Sequence, residues 1–304
     1  MDSQTILKDI ERIKDMSKFI SFGDIGNNKN AIKNTWNEFR DSLMNKEFSY
    51  NDTEKAKETT FLRVFNDLFS TNHGICHLIK DISDINFVMG RGSILNETEE
   101  AVCDRFLPKA QFIKSPNRFS PVGVEWLYLA LEDTVKAIDI AKQEIHVSSG
   151  KRFGFCYFEF EKNSQNGKIV DLTIADDYEY DDFNDALESY IQKIFQQEKT
   201  KAILLRKLPR RNEIVNQKEF EKVFLQWGVN TYCKLLSEEI FMPIDTDDKD
   251  IEYAPFQTLA QYFLTLGFCG IIYKSTVCKG GKNLVLFDKN LAHPTGTIVD
   301  EIIE

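Results

Sequence analysis

Apolar residues recur at three- and four-residue spacing near the start of the chain, which is the pattern of amphipathic helices. Residues 4–20 show this spacing, residues 23–30 (GDIGNNKN) interrupt it, and it resumes over 31–45. We therefore expect residues 1–55 to form a helical extension that packs on the main body of the protein.

The rest of the chain mixes helical patterns with short runs of β-branched and aromatic residues, which predict strands. Helical spacing covers 134–145, much of 184–240 and 256–267, the last ending at Gly267 in the position that commonly terminates a helix. The predicted strands are 59–65 (TTFLRVF), 154–160 (GFCYFEF), 168–174 (KIVDLTI), 270–275 (GIIYKS) and 283–288 (NLVLFD). This alternation predicts an α+β domain.

Five polar residues stand inside runs that would otherwise be assigned to the core. They are Arg63, Arg118, Tyr128, Glu144 and Ser275. A buried charge or hydroxyl destabilises a fold unless it meets a partner or a ligand. These exceptions therefore predict a polar pocket cut into an apolar domain.

Composition narrows the classes of function. The 304 residues carry 38 Lys and Arg against 48 Asp and Glu, a net charge of −10, which argues against nucleic acid as the main partner. A local basic pocket for a phosphorylated small molecule is still compatible with this charge. We find no apolar stretch of roughly 18 residues and no signal-peptide pattern, so we expect no membrane segment. The six cysteines form no CxxC pair, which favours a reducing cytoplasm.

Several weaker motifs are assigned structural roles. The acidic run 175–185 and the basic run 205–211 are typical of solvated loops. GRGS at 90–93 indicates a flexible loop, with a phosphate-binding nest as a weaker alternative. His73, Cys76 and His77 have helical spacing that suits zinc, but no fourth ligand accompanies them, so we expect no metal site. His146 and His293 lack a neighbouring group that would indicate general base catalysis.

Three blocks of the sequence resemble the RES-domain family. They are RFSPVGVEWLYLA at 118–130, AKQEIHVSSGKRFGFCYFEF at 141–160, and YAPFQTLAQYFLTLGFCGIIYKSTVCKGGKNLVLF at 253–287. The resemblance extends over about 60–288, is silent between 160 and 253 and does not cover the N-terminal helices. RES-domain proteins are toxins of bacterial toxin–antitoxin modules that consume NAD⁺.

The resemblance implies a fold similar to ADP-ribosyltransferases, with a split mixed β-sheet and flanking helices. Residues 56–304 would form this RES-type domain, and residues 175–252 would be a long, mostly helical insertion.

The resemblance also carries over site residues. Arg63 matches the early arginine of the family, Arg118 the arginine that opens its R-[FW]-N/S-P-x-G turn, and Tyr128 the tyrosine of its YLA strand. Glu144 matches the acid at its helix end, and Ser275 the serine after its G-[IV]-x-Y strand. The spacing between Tyr128 and the acid is about five residues longer than usual in the family, so Asp139 is an alternative acid.

NAD⁺ chemistry calls for these residue types. Guanidinium groups suit the pyrophosphate, which assigns Arg63 and Arg118 to it, and a tyrosine ring suits the cationic nicotinamide, which assigns Tyr128. The carboxylate of Glu144 would stabilise positive charge that develops on the ribose when the nicotinamide bond breaks. Ser275 would bond the nicotinamide amide or a phosphate. Gln257 and Asn283 are secondary candidates for binding the substrate, although the more ordinary role for both is to hold loops.

The resemblance therefore implies an enzyme that cleaves the nicotinamide–ribose bond of NAD⁺, with phosphate or water as the acceptor. NAD⁺ is a substrate here, inorganic phosphate is a candidate co-substrate, and no cofactor is expected. One alternative is an ADP-ribosyltransferase that modifies a protein, and another is a decayed RES module that only binds partners. A neutralising antitoxin is implied by the resemblance alone, and self-occlusion or homo-oligomer formation is an alternative means of control.

Overall fold

The computed structural model describes residues 25–70, 78–98, 100–182, 217–244 and 248–304, together with several positions between 184 and 196. Three predicted features lie outside the described residues, namely the helix over 4–20, the histidines and cysteine at 73–77, and the basic run at 205–211. None of the helices in the described ranges is long and apolar enough to cross a membrane.

The helices flank a central sheet. Those with bounds in the described ranges are α1 (Ile25–Met44), α2 (Thr53–Ala56), α3 (Thr60–Ser70), α4 (Thr134–Glu144), α5 (Gln217–Leu235) and α6 (Lys249–Thr265). Residues 180–182, 184–186 and 188–190 are also helical, so part of the acidic run predicted as a loop is helix. A π-helix, Leu236–Ile240, follows α5 directly.

Eight strands form one mixed sheet. They are β1 (Ile79–Asp81), β2 (Val88–Leu95), β3 (Leu127–Glu132), β4 (Arg152–Phe160), β5 (Lys168–Asp171), β6 (Gly270–Lys274), β7 (Lys282–Leu286) and β8 (Ala292–Ile302). Their order across the sheet is β1-β5-β6-β7-β3-β2-β4-β8. The β5–β6 pair is parallel and the other pairs are antiparallel. The α+β class predicted from the sequence is confirmed.

Two helices follow the predicted apolar spacing closely. Helix α4 occupies nearly all of the stretch predicted at 134–145, and the Asp133 side chain caps it by accepting from the Lys136 amide. Helix α6 ends at Thr265, and Gly267 has a φ of 83° as expected for a residue that terminates a helix. Helix α6 begins at Lys249, seven residues before the predicted start.

The predicted strand at 59–65 is wrong, because these residues belong to helix α3 and the turn before it. Phe61, Leu62, Val64 and Phe65 are all buried, which is the i, i+1, i+3, i+4 set of one helical face. Arg63 falls on the opposite, exposed face of the helix.

Two predicted irregular segments are regular elements. Helix α1 already begins at Ile25, within the predicted break at 23–30, and its Asn28 is buried against the protein. GRGS at 90–93 is the middle of strand β2 rather than a flexible loop. Its glycines leave room for neighbouring groups, because a Cβ at Gly90 would stand 2.0 Å from the Phe155 ring.

The core extends over both faces of the sheet. On one face a large cluster joins residues of α1, α3, α5 and α6 to strands β5, β6 and β7. A smaller cluster on the same face packs α4 on β3 and β4, and a third cluster covers the opposite face. Helix α1 contributes Ile32, Trp36 and Phe39 to the large cluster. The domain boundary at residue 55 and the insertion at 175–252 stay predictions.

Candidate functional site

A cavity of about 730 Å³ opens where the end of α4 and the start of α6 face the sheet. The lining comes from six separate parts of the chain and includes predicted site residues alongside others. The lining residues are Ser115, Pro116, Asn117, Arg118, Tyr128, Glu144, His146, Pro243, Ile244, Lys249, Tyr253, Tyr273, Thr276 and Val277.

The register of three central strands fixes the floor of this site. Asn283 on β7 lies opposite Ala130 on β3 and opposite Tyr273 on β6. Directly opposed residues of antiparallel strands point to the same face. Tyr128, two residues from Ala130, shares that face. Asn283 and the two tyrosines therefore lie side by side beneath the cavity.

Glu144 is the carboxylate of the site. It is the last residue of α4, and its Oε1 accepts hydrogen bonds from Ser275 Oγ at 2.8 Å and from Asn283 Nδ2 at 2.6 Å. Oε2 has no hydrogen-bond partner among the residues that the structure describes. A negative charge at the carboxyl end of a helix is disfavoured by the helix dipole. The two hydrogen bonds to the Glu144 carboxylate offset that unfavourable interaction.

Ser275 serves Glu144 rather than facing the cavity. Its side chain is buried, its hydroxyl proton is donated to Glu144, and its oxygen accepts from the Cys278 amide at 3.1 Å. The described contact of the Ser275 hydroxyl is with the carboxylate, and its contact with a nicotinamide amide or a phosphate stays a prediction. The residue positions Glu144.

Arg118 brings a positive charge to the cavity wall. Its Nη2 donates to the Met242 carbonyl at 3.1 Å, and its guanidinium lies 4.9 Å from the centre of the Phe256 ring. Its Nη1 is buried and has no hydrogen-bond partner in the described part of the chain. Burial lowers the pKa of Arg118, but a guanidinium remains charged at neutral pH. A guanidinium on the wall of a cavity is suited to an anionic ligand.

Tyr128 lies on β3, and its hydroxyl is 2.9 Å from Ser120 Oγ. Burial raises the pKa of Tyr128 far above that of an ordinary phenol, and burial has the same effect on Tyr273. Both side chains therefore stay neutral and offer aromatic surface to a ligand. This placement is compatible with the predicted stacking of Tyr128 on a cationic ring.

The two secondary candidates act on other site residues. Gln257 on α6 is buried, and its Nε2 donates to the Asn117 carbonyl at 3.3 Å, which holds the turn that carries Arg118. Asn283 is also buried, but it holds the Glu144 carboxylate and not a loop. Neither residue is among those that line the cavity.

Arg63 and Asp139 lie apart from this constellation. Arg63 is exposed on α3, and Asp139 is exposed on α4 five residues before Glu144. The lining of the cavity includes Glu144 and neither of these residues. The structure thus brings together Arg118, Tyr128, Glu144 and, through Glu144, Ser275.

The residues that line the cavity but were not selected as site residues from the sequence include His146, Lys249 and Tyr273. Only the position of His146 two residues after Glu144 could have indicated its place. Arg91 on β2 has a buried Nη1 without a hydrogen-bond partner among the described residues, but it pairs with Cys156 of the cluster on the other face of the sheet.

Comparison with known proteins gives one family match. Residues 225–300, a quarter of the chain, match the family model of the RES domain. No curated protein and no solved structure matches the chain. The matched segment runs from α5 into β8 and contains Gln257, Ser275 and Asn283, whereas Arg118, Tyr128 and Glu144 precede it. The resemblance to the RES-domain family that the sequence predicted is therefore confirmed, with the RES-domain match placed at residues 225–300.

Proposed function

We propose that this protein breaks the nicotinamide–ribose bond of NAD⁺ and releases nicotinamide. The observation that carries the proposal is the Glu144 carboxylate, which is held on one oxygen by Ser275 and Asn283 and shares a cavity with Arg118 and Tyr128. The cavity volume lies within the range of roughly 300–1,000 Å³ that small-molecule sites occupy.

Each part of the substrate has a suitable group in the cavity. The guanidinium of Arg118 and the ammonium of Lys249 line the cavity and suit the pyrophosphate. The rings of Tyr128 and Tyr273 suit the nicotinamide, because a cationic ring is attracted to an aromatic face. Glu144 would then lie beside the ribose, with Oε2 directed to the sugar.

Catalysis in this proposal is electrostatic. As the bond to nicotinamide stretches, positive charge builds on C1′ and the ring oxygen of the ribose. A fixed carboxylate stabilises that charge more than it stabilises the ground state, which lowers the barrier. Nicotinamide leaves as a neutral molecule and needs no proton from the protein. The toxin role and a neutralising antitoxin belong to the same proposal and rest on the family resemblance.

The test is to incubate the purified protein with NAD⁺ and measure free nicotinamide by chromatography. We expect the wild type to release nicotinamide and Glu144→Gln to lose at least about a hundredfold in rate, since the amide keeps the shape but not the charge. Asp139→Asn is the matched control, and it should turn over normally.

Loss of activity in Asp139→Asn with normal turnover in Glu144→Gln would reverse the choice of acid. Transfer to a protein is the rival reaction, and labelled NAD⁺ added with a cell lysate separates the two. A labelled protein band would favour the ADP-ribosyltransferase, whereas small products alone favour the present proposal. Wild-type protein that leaves NAD⁺ intact would favour the non-enzymatic module.

A further inference from the structure

His146 follows the end of α4 in a left-handed backbone conformation, with a φ of 48°. Glycine usually occupies such a position after a helix, because a Cβ disfavours the left-handed conformation. The other positive-φ residue besides glycines in the described part of the chain is Lys46, far from the site in sequence. Here the conformation belongs to the turn that ends α4, because the amides of His146 and Val147 donate to the carbonyls of Gln143 and Lys142 in the Schellman arrangement. This turn fixes the position of His146 two residues after Glu144.

His146 lines the same cavity as Glu144. Its backbone amide donates to the Gln143 carbonyl at 3.1 Å, which fixes the turn. The residue is exposed, and its imidazole makes no hydrogen bond or ion pair with the described residues. Both ring nitrogens are therefore open to a bound molecule.

The other titratable groups that line the cavity are poor proton acceptors. Arg118 and Lys249 are cations, and the lining tyrosines are phenols. Burial raises the pKa of Tyr128 and Tyr273, which keeps their protons in place. The charge of Glu144 is committed to the ribose. Imidazole is the side chain that exchanges a proton most readily near neutral pH.

We propose that His146 is the general base that takes a proton from the water molecule attacking C1′ of the nicotinamide riboside. This inference rests on the proposed function and names its acceptor. The water oxygen forms a bond to C1′ while the bond from C1′ to the nicotinamide nitrogen breaks. The electron pair of that bond returns to the pyridine ring, which becomes neutral. The water proton passes to His146 and then to solvent, so the products are ADP-ribose, nicotinamide and one proton.

A phosphate acceptor would not need this base. Hydrogenphosphate already carries an anionic oxygen and can attack C1′ without losing a proton, whereas water becomes a good nucleophile only as its proton is removed. The role of His146 is therefore specific to hydrolysis. Substitution of His146 should therefore slow the hydrolysis of NAD⁺ and leave its reaction with phosphate nearly unchanged.

The experiment compares wild type with His146→Asn, because asparagine tolerates the left-handed conformation and lacks the base. Nicotinamide and the sugar product are measured in phosphate-free buffer and with added inorganic phosphate. We expect ADP-ribose formation by His146→Asn to fall about a hundredfold or more, in the usual range for loss of a general base. Any phosphorylated sugar product should form at nearly the wild-type rate. His293→Asn, an exposed histidine on β8 paired with Glu161, is the matched control and should behave as wild type.

Three outcomes would overturn either the role of His146 alone or the proposed function with it. Hydrolysis by His146→Asn at the wild-type rate, while Glu144→Gln is inactive, overturns the role of His146 and leaves the proposed function standing. If the wild type forms no ADP-ribose in phosphate-free buffer but releases nicotinamide when phosphate is added, the role of His146 is also overturned. The proposed cleavage of NAD⁺ would still stand. Wild-type protein that never consumes NAD⁺ overturns both. His146→Gly, which places the residue most common at this position after a helix, is a second variant that should fold at least as stably and should lose hydrolysis equally.

Discussion

Two residues donate hydrogen bonds to the Glu144 carboxylate, and replacing one of them tests the site. Asn283 Nδ2 is 2.6 Å from Glu144 Oε1, and Ser275 Oγ is 2.8 Å from the same atom. Hydrogen bonds to a charged group contribute about 1.5–3 kcal/mol, so each donor has a measurable share in holding the carboxylate. Their removal leaves the charge present but free to rotate.

We predict that Asn283→Leu lowers the rate of nicotinamide release about tenfold to a hundredfold, which is that hydrogen-bond energy converted to a rate. The assay is initial-rate release at saturating NAD⁺. Asn290→Leu, which changes an exposed asparagine outside the cavity, is the control and should keep wild-type turnover. Equal rates for Asn283→Leu and wild type would show that Ser275 alone holds Glu144.

The sequence identified the polar residues that line the cavity better than the residues that hold them in place. Arg118, Tyr128 and Glu144 stood out because each interrupts an apolar run, and each lines the cavity. Arg63 satisfied the same criterion, but a charged residue on the exposed face of a helix also interrupts an apolar run. The bond from Asn283 to Glu144 joins residues 139 positions apart, and no local pattern encodes it.

Strand β2 was not predicted from the sequence, and its two glycines are the reason. A Cβ at Gly90 would lie 2.0 Å from the Phe155 ring, and one at Gly92 would lie 2.9 Å from the Phe153 ring. The two glycines let aromatic residues of β4 cover this strand. The sequence analysis predicted a flexible loop at GRGS, whereas glycine in a strand also marks a place where neighbouring groups approach closely, as they do here.

We predict that Gly90→Ala lowers the free energy of unfolding by at least about 1–3 kcal/mol, since the added methyl group overpacks the buried Phe155 ring. Urea or thermal unfolding followed by circular dichroism measures the change. Gly26→Ala in α1 is the matched control, because its new Cβ would meet no atom within 4 Å. The control should be neutral or slightly stabilising, as alanine favours helices over glycine. A Gly90→Ala variant as stable as wild type would contradict the packing of β2 on β4.

The spacing of apolar residues predicted a helix well where the helix buries only one of its faces. It predicted the type of element less well in short runs rich in aromatic residues. Helix α4 carries Ala137, Ile140 and Ala141 on its buried side, and the predicted bounds are nearly right. Residues 59–65 hold Phe61 and Phe65 on the same helical face. In seven residues such a set is hard to distinguish from a buried strand, and the distinction came from packing against α1 and α6.

At the scale of the whole molecule, the N-terminal helix and the site share one core. Trp36 of α1 packs edge-on against Phe256 at 4.7 Å and against Phe61 at 4.8 Å. Phe256 in turn lies beneath the guanidinium of Arg118. Helix α1 therefore supports the wall of the cavity through two aromatic layers.

We predict that Trp36→Ala lowers the free energy of unfolding by about 3–5 kcal/mol, the usual cost of truncating a buried tryptophan. Affinity for NAD⁺ should fall as well, because Phe256 loses the ring that holds it under Arg118. Chemical unfolding and ligand titration measure the two effects. Met44→Ala on the same helix, at a side chain that is 48% exposed, should change neither. Unaltered stability in Trp36→Ala would separate α1 from the core.

A crystal structure of Glu144→Gln with NAD⁺ bound would show whether this cavity is the NAD⁺ site. We expect the pyrophosphate against Arg118, the nicotinamide beside Tyr128 and Tyr273, and C1′ of its ribose next to the side chain at position 144. NAD⁺ bound elsewhere on the protein, with this cavity left to solvent, would contradict this placement.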